Sequence, residues 1–224
     1  HLLEKESLDL RTINILTLDE ADRMLDMGFH DDIMEIVDYL PANRQSLLFS
    51  ATFPDEIKQL SKSIQRNAIE INVDTTHTEN LIEQVFYEVK PDQDKNDFLF
   101  KILGKYRPER AIVFCRTKKD TNDIAQFLQN RSISAQSING DLEQNERTAV
   151  LTKFANRSLS ILVATDLAAR GLDIEDLPAV INYNLPSDAE AYVHRIGRTG
   201  RAGKRGLAFS YFNPAESFRL EQIE

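Results

Sequence analysis

Three carboxylates crowd into positions 19–22, where Asp19, Glu20 and Asp22 follow directly on the apolar run INILTL of residues 13–18. A carboxylate pair at a strand end can hold a hard divalent cation, directly or through its waters, while a neighbouring carboxylate orients or deprotonates an attacking water. Magnesium suits this work, because it keeps several waters and takes its other oxygens from nucleotide phosphates. A second group, Ser50 and Thr52 in FSATF, closes another apolar run. A third is basic: HRIGRTGRAGKR, residues 194–205, carries five cations and no acid, with Arg195, Arg198 and Arg201 spaced three apart around Gly197 and Gly200. Guanidinium forks bind phosphate oxygens bidentately and stabilise charge on a phosphoryl group in transfer. Each group also has a plainer reading. The acids alone describe a solvated face or a helix cap, and Ser50 to Thr52 describe a strand end that caps the next helix. In ATDLAARGLD, residues 164–173, Gly171 suits a turn and Asp166 a cap. Cys115 ends an apolar run with no base beside it, so it reads as a buried small residue rather than a nucleophile. His30 and His77 read as solvent or loop residues.

The elements that must position these groups follow from periodicity. Residues 13–18 and 44–49 read as buried strands, with a helix between them in DDIMEIVDYL, whose Asp31 and Asp32 suit the positive end of a helix dipole. Residues 54–66 open on proline and continue as an amphipathic helix into a further strand-like run, AIEINV. The polar, aperiodic DTTHTEN of residues 74–80 reads as an interdomain linker. Beyond it, IEQVFYEV alternates as a strand, and AIVFC, ISAQSI, SILVAT, AVINYN and a late GLAFSYF are further short apolar runs. Helices are expected at about 118–129, 143–155 and 188–195. Strands alternating with helices imply right-handed crossovers and a mostly parallel sheet covered on both faces. Such sheets bind ligands outside the carboxyl ends of their strands, which is where Asp19 to Asp22, Ser50 to Thr52, Arg116 and Thr117, and Thr165 and Asp166 leading to Arg170 and Asp173 fall.

The totals narrow the class. With 42% hydrophobic and 28% charged residues the chain is an ordinary globular protein, and no apolar run reaches the length of a membrane span. A single cysteine excludes an internal disulfide, and scattered histidines offer no zinc spacing. A cytoplasmic location is the expectation. The net charge of -9 argues against nucleic-acid binding by the whole surface, leaving local basic clusters to do it.

In series, LDEADRMLDMGF, LLFSATF, IVFCRT, DLEQNER, ATDLAARGLD and YVHRIGRTGR resemble the motifs of the DEAD-box RNA helicases of superfamily 2, in wording closest to the bacterial RhlE-like, ribosome-assembly branch. The resemblance covers almost the whole chain. It implies an α/β fold of two RecA-like domains with parallel sheets and helices on both faces, closing over ATP, Mg2+ and single-stranded RNA. Residues 1–73 would be the second half of the first domain, and residues 81–224 a nearly complete second domain. By that likeness Asp19 and Glu20 would hold magnesium through water, with Glu20 activating the attacking water, and Asp22, Ser50, Thr52 and His194 would link the nucleotide and RNA sites. Arg198 and Arg201 would be arginine fingers, Gly171 and Asp173 would approach the nucleotide, and Arg170 would bridge the domains. Gly140, Arg147 and Thr165 would hold the RNA backbone independently of sequence. Partners in ribosome assembly or RNA degradation would follow, and no membrane.

Two residues depart from the pattern: Asn139 stands where histidine is usual, and Arg116 where asparagine is common. More consequentially, the phosphate-cradling loop G-x-x-x-x-G-K-S/T is absent from the 224 residues, since the Gly-Lys pairs at 104–105 and 203–204 are followed by Tyr106 and Arg205. The chain therefore reads as a helicase fragment with half of an ATP site, inactive by itself, its first 73 residues poorly stable alone because a parallel sheet lacking strands leaves an open edge. Two other readings stand beside it: a non-catalytic module that binds RNA or a partner, and a DNA-acting relative of the same superfamily.

Overall fold

The computed structural model describes residues 9–73, 81–90, 93–169, 172, 174, 176–201 and 203–223. The chain divides into two compact units, His1–Val73 and Asp74–Glu224. The expected linker, residues 74–80, lies outside the described residues, as does His77.

In the first unit, β1 (Ile15–Leu18) pairs in parallel with β2 (Gln45–Leu48), Ile15 opposite Gln45 and Leu18 opposite Leu48. Between and after them run α1 (Ala21–Asp26), α2 (His30–Asp38) and α3 (Asp55–Ile64). Asp31 and Asp32 occupy the first turn of α2, and His30 is exposed beside Asp31. Ile33 and Val37 of α2 meet Leu60 and Ile64 of α3, and Leu16, Leu18 and Leu48 pack on that cluster. Two sequence expectations need correction. The strands are only half-buried, because this cluster covers one face of the pair and leaves Ile15 57% exposed. The run AIEINV forms no strand: Ile69, Ile71 and Val73 are 87%, 81% and 81% exposed, and among the described residues nothing pairs with it. Alternating apolar residues become a strand only where a neighbour supplies ladder partners, which periodicity cannot guarantee.

The second unit holds a six-stranded sheet in the order β3-β8-β7-β4-β6-β5, every neighbouring pair parallel. Its elements are β3 (Ile82–Glu88), α4 (Lys95–Tyr106), β4 (Ala111–Cys115), α5 (Lys118–Gln129), β5 (Ala135–Ile138), α6 (Gln144–Ala155) and β6 (Ile161–Thr165). There follow α7 (Asp166–Ala169), β7 (Ala179–Asn182), α8 (Ala189–Ile196), β8 (Gly206–Phe212) and α9 (Ser217–Ile223). Strand β4 is buried throughout. Its Ala111, Val113 and Cys115 face a core with Leu99 and Leu103 of α4 and Ile124 and Leu128 of α5. Ile112 and Phe114 face the opposite core with Phe154 and Leu172. At roughly 1.5–3 kcal/mol for each large apolar side chain removed from water, this two-sided burial dominates the unit's stability and fixes where the strand ends point. Cys115 is fully buried, and burial pushes its thiol well above the ordinary range, as an inert core residue requires.

Helix α4 has no counterpart in the sequence reading, although its signal is present: the Asp94 side chain accepts from the Asn96 amide, and Leu99, Ile102 and Leu103 recur on one face. Thr117 and Asp188 cap α5 and α8 in the same way, each through its side chain. Two glycines are demanded by space. Gly200 has φ +68°, and a Cβ there would lie 2.3 Å from Ile82 Cγ1; at Gly206 a Cβ would lie 2.5 Å from the Gly200 nitrogen. Among the described residues no helix is long and apolar enough to cross a membrane.

Candidate functional site

In the first unit the acids stand at the carboxyl end of β1. The chain turns there because the Phe49 amide donates to the Leu18 carbonyl at 2.8 Å and the Ala21 amide donates to the Phe49 carbonyl at 3.1 Å, which holds the two strand ends side by side. The Asp19 carboxylate accepts from the Glu20 amide at 2.9 Å, and its residue is exposed. Glu20 adopts φ 51°, ψ 45°, a left-handed conformation that costs a non-glycine residue roughly 1–2 kcal/mol. A non-glycine residue held at that cost at the head of α1 is a candidate functional position.

Asp22 is gripped from three directions. Its Oδ2 accepts from the Thr52 amide at 2.7 Å and the Thr52 hydroxyl at 3.1 Å, its Oδ1 accepts from the Arg23 amide at 3.0 Å, and its own amide donates to Ser50 Oγ at 3.2 Å. Burial raises the Asp22 carboxyl, but the bonds from Thr52, Arg23 and Ser50 together outweigh it and leave the pKa below its ordinary value. Asp22 therefore contributes stability that is present above the ordinary carboxylate pKa of about 3.9 and is lost as pH falls through the lower folded value. Replacing Thr52 by Val removes one of the lowering bonds, so the Asp22 titration should move up in pH, and the stability it contributes should be smaller and fully lost at a higher pH. A carboxyl carbon NMR titration checks this, and an unmoved midpoint would show that the hydroxyl contributes nothing.

In the second unit the remaining groups lie just past β5, at the end of β6, on α6, and on or just after α8. Thr165 ends β6, and its hydroxyl accepts from the Ala168 amide at 3.4 Å. Arg147 on α6 donates to the Ala168 carbonyl at 2.7 Å, so Arg147 and Thr165 converge on the short helix α7. Gly140 lies just past β5, where a Cβ would touch Lys118 Cε at 3.4 Å. His194 on α8 lies 3.8 Å from Glu190 one turn earlier. Arg198 donates to the Leu172 carbonyl at 3.2 Å, and Arg201 Nε donates to the Gly197 carbonyl. Arg170, Gly171 and Asp173 lie outside the described residues.

The three arginines do not act as one set, which corrects the reading from spacing. Arg195 still belongs to α8 and points into the sheet, where it is 4% exposed. Its Nε and Nη2 fork onto the two oxygens of Asp166 at 2.6 and 2.7 Å, and its Nη1 donates to Asn182 Oδ1 at 3.1 Å and the Asn184 carbonyl at 2.7 Å. Asn182 in turn donates to Ser210 at 3.0 Å. A guanidinium so occupied ties α8 to the ends of β6, β7 and β8. Helix α8 ends before Gly197, so Arg198 and Arg201 leave on a different course. The expectation of Asp166 as a cap needs correction: it is the first residue of α7, the Ala168 amide bonds Thr165 instead, and the Asp166 carboxylate is taken by Arg195 across 29 residues.

Asn139 and Arg116, the two departures, also acquire positions. Asn139 is buried and fully bonded between β5 and α5. The Arg116 amide donates to Asn184 Oδ1 at 3.0 Å and its guanidinium lies 3.5 Å from Glu216.

The first unit thus holds a parallel pair and the second a six-stranded parallel sheet, the α/β layering in which ligands meet the ends of strands. Residues 1–60 match the DEAD/DEAH box helicase family, and residues 94–203 match the helicase conserved C-terminal domain. The chain is 48% identical over 221 residues to the ATP-dependent RNA helicase DbpA of Escherichia coli K12, covering 99% of this chain and 48% of that protein. To the ATP-dependent RNA helicase CshA of Listeria monocytogenes it is 45% identical, covering 99% of this chain and 43% of that protein. Among solved structures it superposes on Saccharomyces cerevisiae Dbp5 bound to RNA and ADP BeF3 with a TM-score of 0.88 and 35% identity, over 99% of this chain and 59% of that one. On the E. coli DEAD-box protein SrmB bound to the regulator of ribonuclease activity A, the TM-score is 0.60 at 32% identity, over 63% of this chain and 84% of that one. The chain belongs to the DEAD-box RNA helicase family, and it spans about half the length of the curated relatives it matches.

Proposed function

We infer that this chain is part of an ATP-dependent RNA helicase, in which residues 1–73 complete a first RecA-like domain, residues 74–80 link, and residues 81–224 form the second. The observation that carries the reading is the anchored turn at the end of β1, where Asp22 is locked by Ser50 and Thr52 while Asp19 and Glu20 are left at the head of α1. A hard, exposed oxygen donor such as Asp19 fits a magnesium ion held through its waters, and the ion would supply charge neutralisation for nucleotide phosphates. In this reading Glu20 orients and deprotonates water, and Asp22, Ser50, Thr52 and His194 transmit nucleotide state to the RNA site. Arg198 and Arg201 stabilise transferred phosphoryl charge, Gly171 and Asp173 meet the nucleotide, and Arg170 bridges the domains. Gly140, Arg147 and Thr165 hold the RNA backbone, so binding ignores base identity and weakens with salt. The motif spelling supports a cytoplasmic role in ribosome assembly or RNA turnover, near the RhlE-like branch.

The test is RNA-stimulated ATP turnover in two forms of the protein. A form extended at its N terminus by a phosphate-binding loop should hydrolyse ATP when RNA is added, and the 224 residues alone should hydrolyse it negligibly. Robust turnover by the shorter form would overturn the reading that these residues hold only half of an ATP site. A non-catalytic RNA- or partner-binding module is the second reading, favoured by the missing loop alone; it predicts RNA binding without turnover in both forms.

A further inference from the structure

The loop that presents Gly140 is held by a residue that no motif role accounts for. Asn139 is 2% exposed, and a buried carboxamide must place two N–H donors and a carbonyl oxygen. Here Nδ2 donates to Thr121 Oγ1 at 3.0 Å and to Asn122 Oδ1 at 3.1 Å, while Oδ1 accepts from the Asp141 amide at 3.0 Å. The orientation of the amide is forced by its neighbours. The Thr121 hydroxyl spends its only hydrogen on the Lys118 carbonyl at 2.6 Å, and Asn122 Oδ1 already accepts from Ser137 at 2.7 Å, so both partners face Asn139 as acceptors. One side chain therefore joins the first turn of α5, the end of β5 and the backbone beyond Gly140. The Asp141 carboxylate completes the clamp by pairing with Lys118, whose stem lies against the space above Gly140.

We propose that Asn139 is a positioning residue for RNA: by bonding Thr121, Asn122 and the Asp141 amide it pre-orders the 139–141 loop, so that the Gly140 backbone meets a phosphate or ribose group with little left to order. This rests on the reading of Gly140 as an RNA contact. The physical gain is a smaller ordering cost on binding, not a new charge or contact to the ligand. A neutral imidazole at this position has one donor and one acceptor, so it can keep two of the three bonds and no more. The arrangement is one that asparagine makes and histidine only approximates.

The experiment uses the N-terminally extended form with a non-hydrolysable ATP analogue and a short single-stranded oligouridylate. Asn139→Leu should raise the RNA dissociation constant about tenfold, the scale of one or two lost hydrogen bonds. Its slope of log affinity against log salt should stay unchanged, because no charge is removed, whereas Arg147→Ala should lower that slope by about 1. Asn139→His should recover most of the affinity. Thr121→Val, a gentler change that keeps the test open if Asn139→Leu does not fold, should weaken binding about two- to threefold. A lowered melting temperature with an unchanged RNA dissociation constant in Asn139→Leu, or in Thr121→Val if only that variant folds, would reduce Asn139 to a structural residue and overturn the proposal alone. Failure of the unsubstituted protein to bind the oligonucleotide would overturn the RNA reading of Gly140 and this proposal with it.

Discussion

Asp166→Ala should destabilise the second unit by about 3 kcal/mol, because it removes the fork from a guanidinium that has no route back to water. Arg195 is 4% exposed, and two of its four bonds end on Asp166; the others end on Asn182 and the Asn184 carbonyl, which carry no compensating charge. The Asp166 side chain is 35% exposed, so the lower part of the range for broken buried pairs applies. For a unit of this size the loss corresponds to a fall in melting temperature of roughly 6–12 °C. Urea unfolding of Asp166→Ala, Arg195→Lys and the charge-free double variant Asp166→Leu/Arg195→Met separates pairing from burial. The double variant should recover most of the stability, as apolar replacements of buried ion pairs do. A loss under about 1 kcal/mol for Asp166→Ala would mean that Arg195 finds solvent when its partner is removed.

Glu20→Gln in the N-terminally extended form should reduce RNA-stimulated ATP turnover by about 10²–10⁴-fold, the usual contribution of a positioned general base, while nucleotide affinity changes little. The substitution keeps the shape of the side chain and the left-handed turn at φ 51°, so the fold is not the variable. Arg201→Lys should also lower the rate, because an ammonium cannot reproduce the guanidinium fork. The contrast with Arg195→Lys is informative. Within one motif, replacement at 201 should cost rate more than stability, and replacement at 195 should cost stability first. Parental turnover in Glu20→Gln would remove the water-activating role from this residue.

The alternation of apolar runs and helical segments was enough to read a parallel α/β fold, since each run's length and its polar terminus reflect burial on two faces. The starts of α2 and α3 and the approximate spans of α5, α6 and α8 were legible for the same local reason. So were the acids at 19–22 and the pair Ser50 and Thr52, because ligands gather where strands end. Most of what failed in the sequence reading failed at long range. AIEINV alternates like a strand yet lies exposed, as pairing depends on a partner and not on its own residues. Helix α4 is the local exception: its cap at Asp94 and its apolar face were present in the sequence but were not read.

Sequence by itself determined the residue types at each loop and the order in which strands and helices deliver them, because periodicity and capping act within a few residues. Only the tertiary structure decided which of those groups are bound to one another. It locked Asp22 onto Thr52 across 30 residues, sank Arg195 onto Asp166 across 29, and set Asn139 among Thr121, Asn122 and Asp141. Regular spacing had made Arg195, Arg198 and Arg201 look equivalent. Helix α8 ends between the first and the second, and burial against the sheet gave the first a structural task that no spacing encodes.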